Sequence, residues 1–198
     1  ANPDEHRGSA HYYAGLSCRA LGQYDAAVRE FDWLINTHTG DPYIPRAILA
    51  KGETLTQADN REAATQAFRS LVESYPDHEL APEALLRCAT LMENMTRQKE
   101  AADTYTLLYQ DYPQAKQAPE AALRIGLMRY RTGDYVEAEQ HLRTASSLCG
   151  SCADAGRYRY WLGRTLLAQG KTEEGESLLN AVVGSMPSDY YSYRAFAL

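Results

Sequence analysis

Small residues recur along this chain at a fixed interval of 37. Ala27, Ala64, Ala101, Ala138 and Gly175 hold one phase. Four positions later stand Phe31, Phe68, Tyr105, Leu142 and Leu179, and seven later Leu34, Leu71, Leu108, Ala145 and Val182. Twelve positions earlier come Gly15, Gly52, Ala89, Gly126 and Gly163. An internal period of this length means a stack of supersecondary units, each burying its apolar face only against its neighbours. Within a unit, the i, i+4, i+7 spacing is one stripe of an α-helix. A glycine inside a helix costs roughly 1 kcal/mol relative to alanine, so the Gly15 column needs a packing reason. It is expected to face the small column twelve residues on, letting two antiparallel helices approach closely, while the bulky column fills the next layer.

The punctuation carries the same period. Gly22, Asp59, Thr96, Gly133 and Gly170 share one phase and mark the turn inside each pair. Pro45, Pro82 and Pro119 share another and suit the first turn of a helix, where the missing N–H has no partner anyway. Pro76, Pro113 and Pro187 follow the second helices, and Pro3 and Pro42 fall in loops. The pattern predicts first helices near 8–21, 45–57, 82–95, 119–132 and 156–169. It predicts second helices near 24–38, 61–74, 98–111, 135–148 and 172–185. Residues 189–198 read as the start of a sixth first helix, cut short. No strand signal and no linker is present. The expectation is an all-α stack of five helix pairs forming a single domain over 1–198. Its repeats cover about 8–44, 45–81, 82–118, 119–155 and 156–188.

Composition narrows the function classes. Hydrophobic residues make up 44% and charged residues 23%, the balance of an ordinary globular chain. The net charge of −6 argues against a nucleic-acid-binding module, which needs a basic face. No apolar run is long enough to span a bilayer, and no apolar leader is present, so the chain reads as cytosolic or as a secreted chain whose leader has been removed. Tyrosine outnumbers phenylalanine 15 to 3, which suits a thin two-layer stack: the ring fills a helix seam while the hydroxyl stays wet.

Candidate chemical sites are sparse. Cys149-Gly150-Ser151-Cys152 lies between the fourth and fifth pairs. A thioredoxin-type role needs a βαβ context that is missing, and a zinc site needs a second ligand pair that is also missing. A local disulfide or two free thiols is the expected state, with Cys18 and Cys88 on core positions. His6, His11, His38, His78 and His141 have no metal-ligand spacing. Glu173, Glu174 and Glu176, like Glu83 and Glu120, sit at helix starts, where carboxylates favour the helix dipole. No catalytic set, metal site or cofactor site is expected.

The inner columns of the first helices carry the binding expectation, because stacked helix pairs bind along their concave side. These columns read Tyr12, Leu49, Leu86, Leu123, Tyr160; then Leu16, Glu53, Thr90, Leu127, Arg164; then Arg19, Thr56, Glu93, Tyr130, Leu167. Arg131, Arg157, Arg159 and Arg164 are expected to gather toward the C-terminal end, where they would meet an acidic peptide, a glycan carboxylate or a neighbouring domain. The candidate partner-binding residues are Tyr12, Arg19, Glu53, Tyr130, Arg131, Arg157, Tyr160 and Arg164.

These columns, and segments such as Gly133-Asp134-Tyr135-Val136-Glu137-Ala138, resemble the tetratricopeptide (TPR) family, whose units are usually about 34 residues long. The extra residues fall between pairs, as in Tyr75-Pro76-Asp77 through Ala81-Pro82-Glu83, similar to bacterial periplasmic and outer-membrane-associated TPR proteins of the Tol-Pal-linked and outer-membrane-assembly type. The resemblance implies a right-handed superhelical solenoid. The Lys/Asn/Arg carboxylate clamp of chaperone-binding TPRs is not found in the inner columns.

Arg159-Tyr160-Trp161-Leu162-Gly163-Arg164, with Pro187-Ser188-Asp189-Tyr190-Tyr191, resembles the α-superhelical region of soluble lytic murein transglycosylases. That family's catalytic Glu-Ser and Gly-Leu-Met-Gln segments do not occur here, since Gly126-Leu127-Met128 runs on into Arg129. The resemblances imply a non-catalytic periplasmic or cell-envelope scaffold that binds a protein, a peptide or peptidoglycan, in a native chain that continues past Leu198 into a catalytic domain. The alternatives are a general protein–protein interaction module and a cytoplasmic location.

Overall fold

A computed structural model describes residues 7–37, 40–185 and 190–196 of the chain. Pro3, His6, His38, Pro187, Ser188, Asp189 and Leu198 lie outside the described residues. The described residues form helices α1 (Arg7–Ala20), α2 (Tyr24–Thr37), α3 (Ile44–Gln57), α4 (Arg61–Ser74), α5 (Ala81–Asn94), α6 (Gln98–Asp111), α7 (Ala118–Arg131), α8 (Tyr135–Cys149), α9 (Ala155–Ala168), α10 (Thr172–Ser185) and α11 (Tyr190–Phe196), with no strand among them. The unbroken repeat predicts a single domain over 1–198. The chain divides into two compact units, residues 1–104 and 105–198, with the division inside α6.

The repeated turn fixes where each pair folds back. Gly22, Asp59, Thr96, Gly133 and Gly170 all have positive φ, between 58° and 80°. In each pair the positive φ falls two residues past the end of the first helix, where the chain turns back. Thr96 holds it although it is β-branched, a residue type that rarely goes there. The preceding carbonyls are consumed in the same way each time: Asn60 donates its N–H to Leu55, Arg97 to Met92, Asp134 to Arg129 and Lys171 to Leu166, at 2.9 to 3.0 Å. Asn60 and Asp134 then cap the second helix, accepting from Ala63 N–H and Glu137 N–H. Pro45, Pro82 and Pro119 occupy the first turns of α3, α5 and α7, as their phase predicts.

In the N-terminal unit, α1 packs on α2, α2 on α3, α3 on α4 and α4 on α5. Ala27, Phe31, Leu34, Ala64, Phe68 and Leu71 are all at most 1% exposed. In the C-terminal unit, α7 packs on α8, α8 on α9, α9 on α10, and α11 on both α9 and α10. Ala138, Leu142, Ala145, Leu166 and Val182 are fully buried there.

The glycine column is corrected in one respect. A Cβ at Gly15 would lie 2.5 Å from the Phe31 ring, and one at Gly126 would lie 2.7 Å from Leu142. Its partner is the bulky residue sixteen positions on, more closely than the small residue twelve on. The physical reason is that a long side chain leans toward its own helix's N-terminus and so covers the neighbouring helix one turn earlier than its own Cα.

Adjacent repeats of the C-terminal unit are also tied by charge. Glu139 of α8 accepts from Lys171 at 2.6 Å, Gln169 at 2.7 Å and Arg143 at 2.9 Å. Burial opposes its ionisation, but these donors outweigh that effect and hold the carboxyl down to about 2.

Candidate functional site

In the N-terminal unit the inner columns meet at a cavity of about 260 Å³ lined by Tyr12, Leu16, Arg19, Arg46, Leu49, Ala50, Glu53 and Leu80. Three of the candidate residues, Tyr12, Arg19 and Glu53, are thus brought together with Leu16 and Leu49 from the same columns. The cavity has an apolar side, made by the three leucines and Ala50, and a charged side. On the charged side, Glu53 of α3 accepts from Arg19 of α1, and its other oxygen lies 3.1 Å from the Arg87 guanidinium of α5. The carboxylate therefore clips three successive first helices together. The Tyr12 ring stands 5.3 Å from both Tyr13 and Tyr43 and is tilted toward Phe31. Burial pushes its hydroxyl pKa up, and the charge of Arg46 works against that. Sequence reasoning missed Arg46. Its signal was available, since it stands in the helix-start column with Glu83, Glu120, Arg157 and Arg194.

In the C-terminal unit the arrangement is aromatic. Tyr160 is 1% exposed, and its ring lies 5.5 Å from Trp161 and 5.4 Å from Tyr191. Tyr130 meets Trp161 edge-on at 5.7 Å. Arg164 donates to the Tyr160 hydroxyl at 3.1 Å, and its guanidinium sits 5.9 Å from that ring's centre. Burial alone would lower the Arg164 pKa, but hydrogen bonding to Tyr160 and the proximity of Tyr130 raise it. Three candidate residues, Tyr130, Tyr160 and Arg164, therefore form one group.

The four arginines expected to gather differ in what they meet. Arg157 is spent on Glu120, 2.8 Å away in the preceding first helix. Arg159 donates to the Gly150 carbonyl at 3.4 Å, beside the loop before α9. Arg131 is exposed as the last residue of α7. Three-residue and seven-residue offsets place charges on a face but cannot tell which of them finds a glutamate 37 residues away. Arg194 of α11 joins the group instead: it donates to Tyr190 at 3.3 Å, and its pKa is raised chiefly by hydrogen bonding to Tyr160.

Cys149 and Cys152 form a disulfide, while Cys18 and Cys88 are free. Burial pushes the Cys88 thiol up to about 11, so it stays protonated and inert. Among the described residues no group of three or more His, Cys, Asp or Glu side chains could hold a metal ion. Among the same residues, no helix is long and apolar enough to cross a membrane.

Comparison with known proteins places the repeat. Three family models, each described as tetratricopeptide repeat, match residues 7–79, 83–115 and 156–181. The fold is similar to the crystal structure of a tetratricopeptide repeat protein from Parabacteroides merdae, with a TM-score of 0.68 at 16% identity over 96% of this chain and 71% of that one. It is similar to MamA from Desulfovibrio magneticus, with a TM-score of 0.64 at 15% identity over 93% and 97%. A further MamA structure gives 0.67 at 15% over 92% and 93%. No curated protein matches the sequence. None of the models and structures named here is a lytic transglycosylase. At these identities the likeness is one of fold, and with the three family matches it shows that the chain is built from tetratricopeptide repeats.

Proposed function

We propose that the chain is a non-catalytic protein-interaction scaffold whose N-terminal unit seats an apolar side chain of a partner peptide against Leu16, Leu49 and Leu80. The cavity that these residues line carries the reading. At about 260 Å³ it falls below the usual range of small-molecule and cofactor pockets, yet it has room for one or two side chains. Its charged side is already assembled around Glu53, so a peptide would add to a formed rim without having to order it. A random-peptide display library panned on the purified chain tests this. Enriched peptides are expected to share a Leu, Met or Phe anchor. Their affinity is expected to fall at least tenfold in Leu49→Asp, a half-buried position, with the melting temperature lowered by only a few degrees. If no peptide is enriched, or if the enriched ones ignore Leu49→Asp, the pocket is not the site.

We further place the protein in an oxidising compartment such as the periplasm or cell envelope, with the cytoplasm as the alternative. The Cys149–Cys152 disulfide supports this, since such bonds persist where thiols are not kept reduced. Protein recovered from its native host under alkylating conditions is expected to carry two free thiols, on Cys18 and Cys88. Four would place it in a reducing compartment. A link to peptidoglycan or to a transglycosylase rests on the resemblance of residues 159–195 alone. Sedimentation of the purified chain with isolated murein sacculi tests it, and a chain left in the supernatant would end it.

A further inference from the structure

Among the arginines of the C-terminal unit, two differ from those that pair with glutamates. Arg124 and Arg157 pair with Glu120, Arg129 with Glu137, and Arg143 with Glu139 and Glu174. Arg164 and Arg194 are held by tyrosine hydroxyls, and among the described residues neither meets a carboxylate. The repeat explains why. Arg194 occupies in α11 the position that Arg157 occupies in α9. The residue one repeat before Arg157 is Glu120, its partner, whereas the residue one repeat before Arg194 is Arg157 itself. Arg194 therefore has a cation, not a glutamate, one repeat before it.

The two guanidiniums stand on helices that meet at Tyr160, whose ring lies 5.4 Å from Tyr191 of α11. The Tyr160 oxygen accepts from Arg164 at 3.1 Å, and no described residue accepts its own O–H. A hydroxyl on a side chain only 1% exposed normally has an acceptor. Two guanidiniums and a phenol thus stand along the α9–α11 contact, and no described carboxylate meets them. Guanidinium forks match the geometry of a carboxylate, which can also take a phenol proton donor. Next to them α11 buries Ser192 and Ala195 and turns Tyr190, Tyr193 and Phe196 outward, 61%, 73% and 80% exposed. With a net charge of −6 the chain as a whole repels polyanions, so a single carboxylate flanked by apolar groups fits better than a nucleic acid.

We propose that Arg164, Arg194 and Tyr160 form a subsite for an acidic side chain of a partner peptide, with that peptide's neighbouring aromatic residues resting on Tyr190 and Tyr193. The inference rests on the scaffold reading above and names the chemistry of the partner. The probe is the synthetic peptide acetyl-Gly-Phe-Glu-Phe-Gly-amide, set against its Gln counterpart. Each is titrated into isotope-labelled protein, following the arginine Nε–H signals and the leucine methyls. The Glu peptide is expected to shift Arg164 and Arg194 and to bind at least fivefold more tightly than the Gln peptide. The preference should shrink as salt is raised. Arg194→Gln, at an exposed position, is expected to abolish the preference without changing the melting temperature, and Arg164→Gln to do the same. Equal binding of the two peptides overturns the subsite, as does a response confined to the Leu16 and Leu49 methyls, which would leave the scaffold reading standing. If neither peptide moves any signal at millimolar concentration, both readings fall together.

Discussion

Ala138→Arg is expected to leave the C-terminal unit without a cooperative unfolding transition. Ala138 is fully buried on α8, and the carbonyl of that residue lies 3.4 Å from where a Cβ on Gly126 of α7 would stand. The arginine stem has no space at this crossing, and overpacking of a well-filled core costs about 1–3 kcal/mol. Its guanidinium would have to be buried without a carboxylate, which adds about 3–5 kcal/mol by analogy with broken buried pairs. The sum, about 4–8 kcal/mol, is comparable to the whole stability of a typical domain. Thermal and urea unfolding followed by circular dichroism at the helix band would show it. Val136→Arg is the control, two residues away and 62% exposed, and it should unfold within about 0.5 kcal/mol of the parent. A loss at Ala138 of only 1 kcal/mol or so would mean that α7 and α8 do not approach closely at this position.

Much of this architecture could be read from the chain because repetition supplies its own controls. One glycine in a helix is ambiguous, but Gly52, Gly126 and Gly163 in one 37-residue phase, each followed sixteen residues later by a bulky side chain, are a packing rule. The turn phase was legible even at Thr96, where a β-branched residue argues against a left-handed backbone, because Gly22, Gly133 and Gly170 share its position. Helix α4, expected near 61–74, runs Arg61–Ser74, and its ends follow from the turn residue before it and Pro76 after it. Local signals of this kind act over a few residues, and the sequence displays all of them.

What could not be read depends on which of several equivalent partners a side chain takes. Arg157 and Arg164 lie two turns apart on one face of α9, and sequence spacing treats them alike. Their fates differ because Glu120 stands one repeat before Arg157, while Leu127 stands one repeat before Arg164. The column table contains that difference, but columns read for hydrophobicity and charge in isolation do not show it. The role of Tyr160 was likewise hidden. As an inner-column residue it was expected to face a partner, yet it is buried, and its hydroxyl accepts from Arg164. The state of Cys149 and Cys152 was open for a different reason: a loop of this length permits a disulfide and equally permits two thiols, and spacing does not choose between them.

The glycine rule makes a second large prediction, in which a mutation changes sign with its background. Phe68→Ala alone is expected to cost about 4 kcal/mol, since Phe68 is 1% exposed and its removal opens a ring-sized cavity. Gly52→Ala alone should cost about 1–2 kcal/mol. The added Cβ would fall inside van der Waals contact of three carbons of the Phe68 ring, a rigid group with no open side to retreat to. That overpacking outweighs the roughly 1 kcal/mol an alanine gains over glycine inside a helix. With the ring gone, the same methyl has room, fills part of the cavity and keeps its helix preference. In the Phe68→Ala background, Gly52→Ala should therefore stabilise by about 1 kcal/mol. The coupling between the two sites then comes to about 2–3 kcal/mol, well above the few tenths expected of independent positions. Urea unfolding of the four proteins in the cycle measures it. Additive costs would show that glycine stands at this position for some reason other than the ring that lies over it.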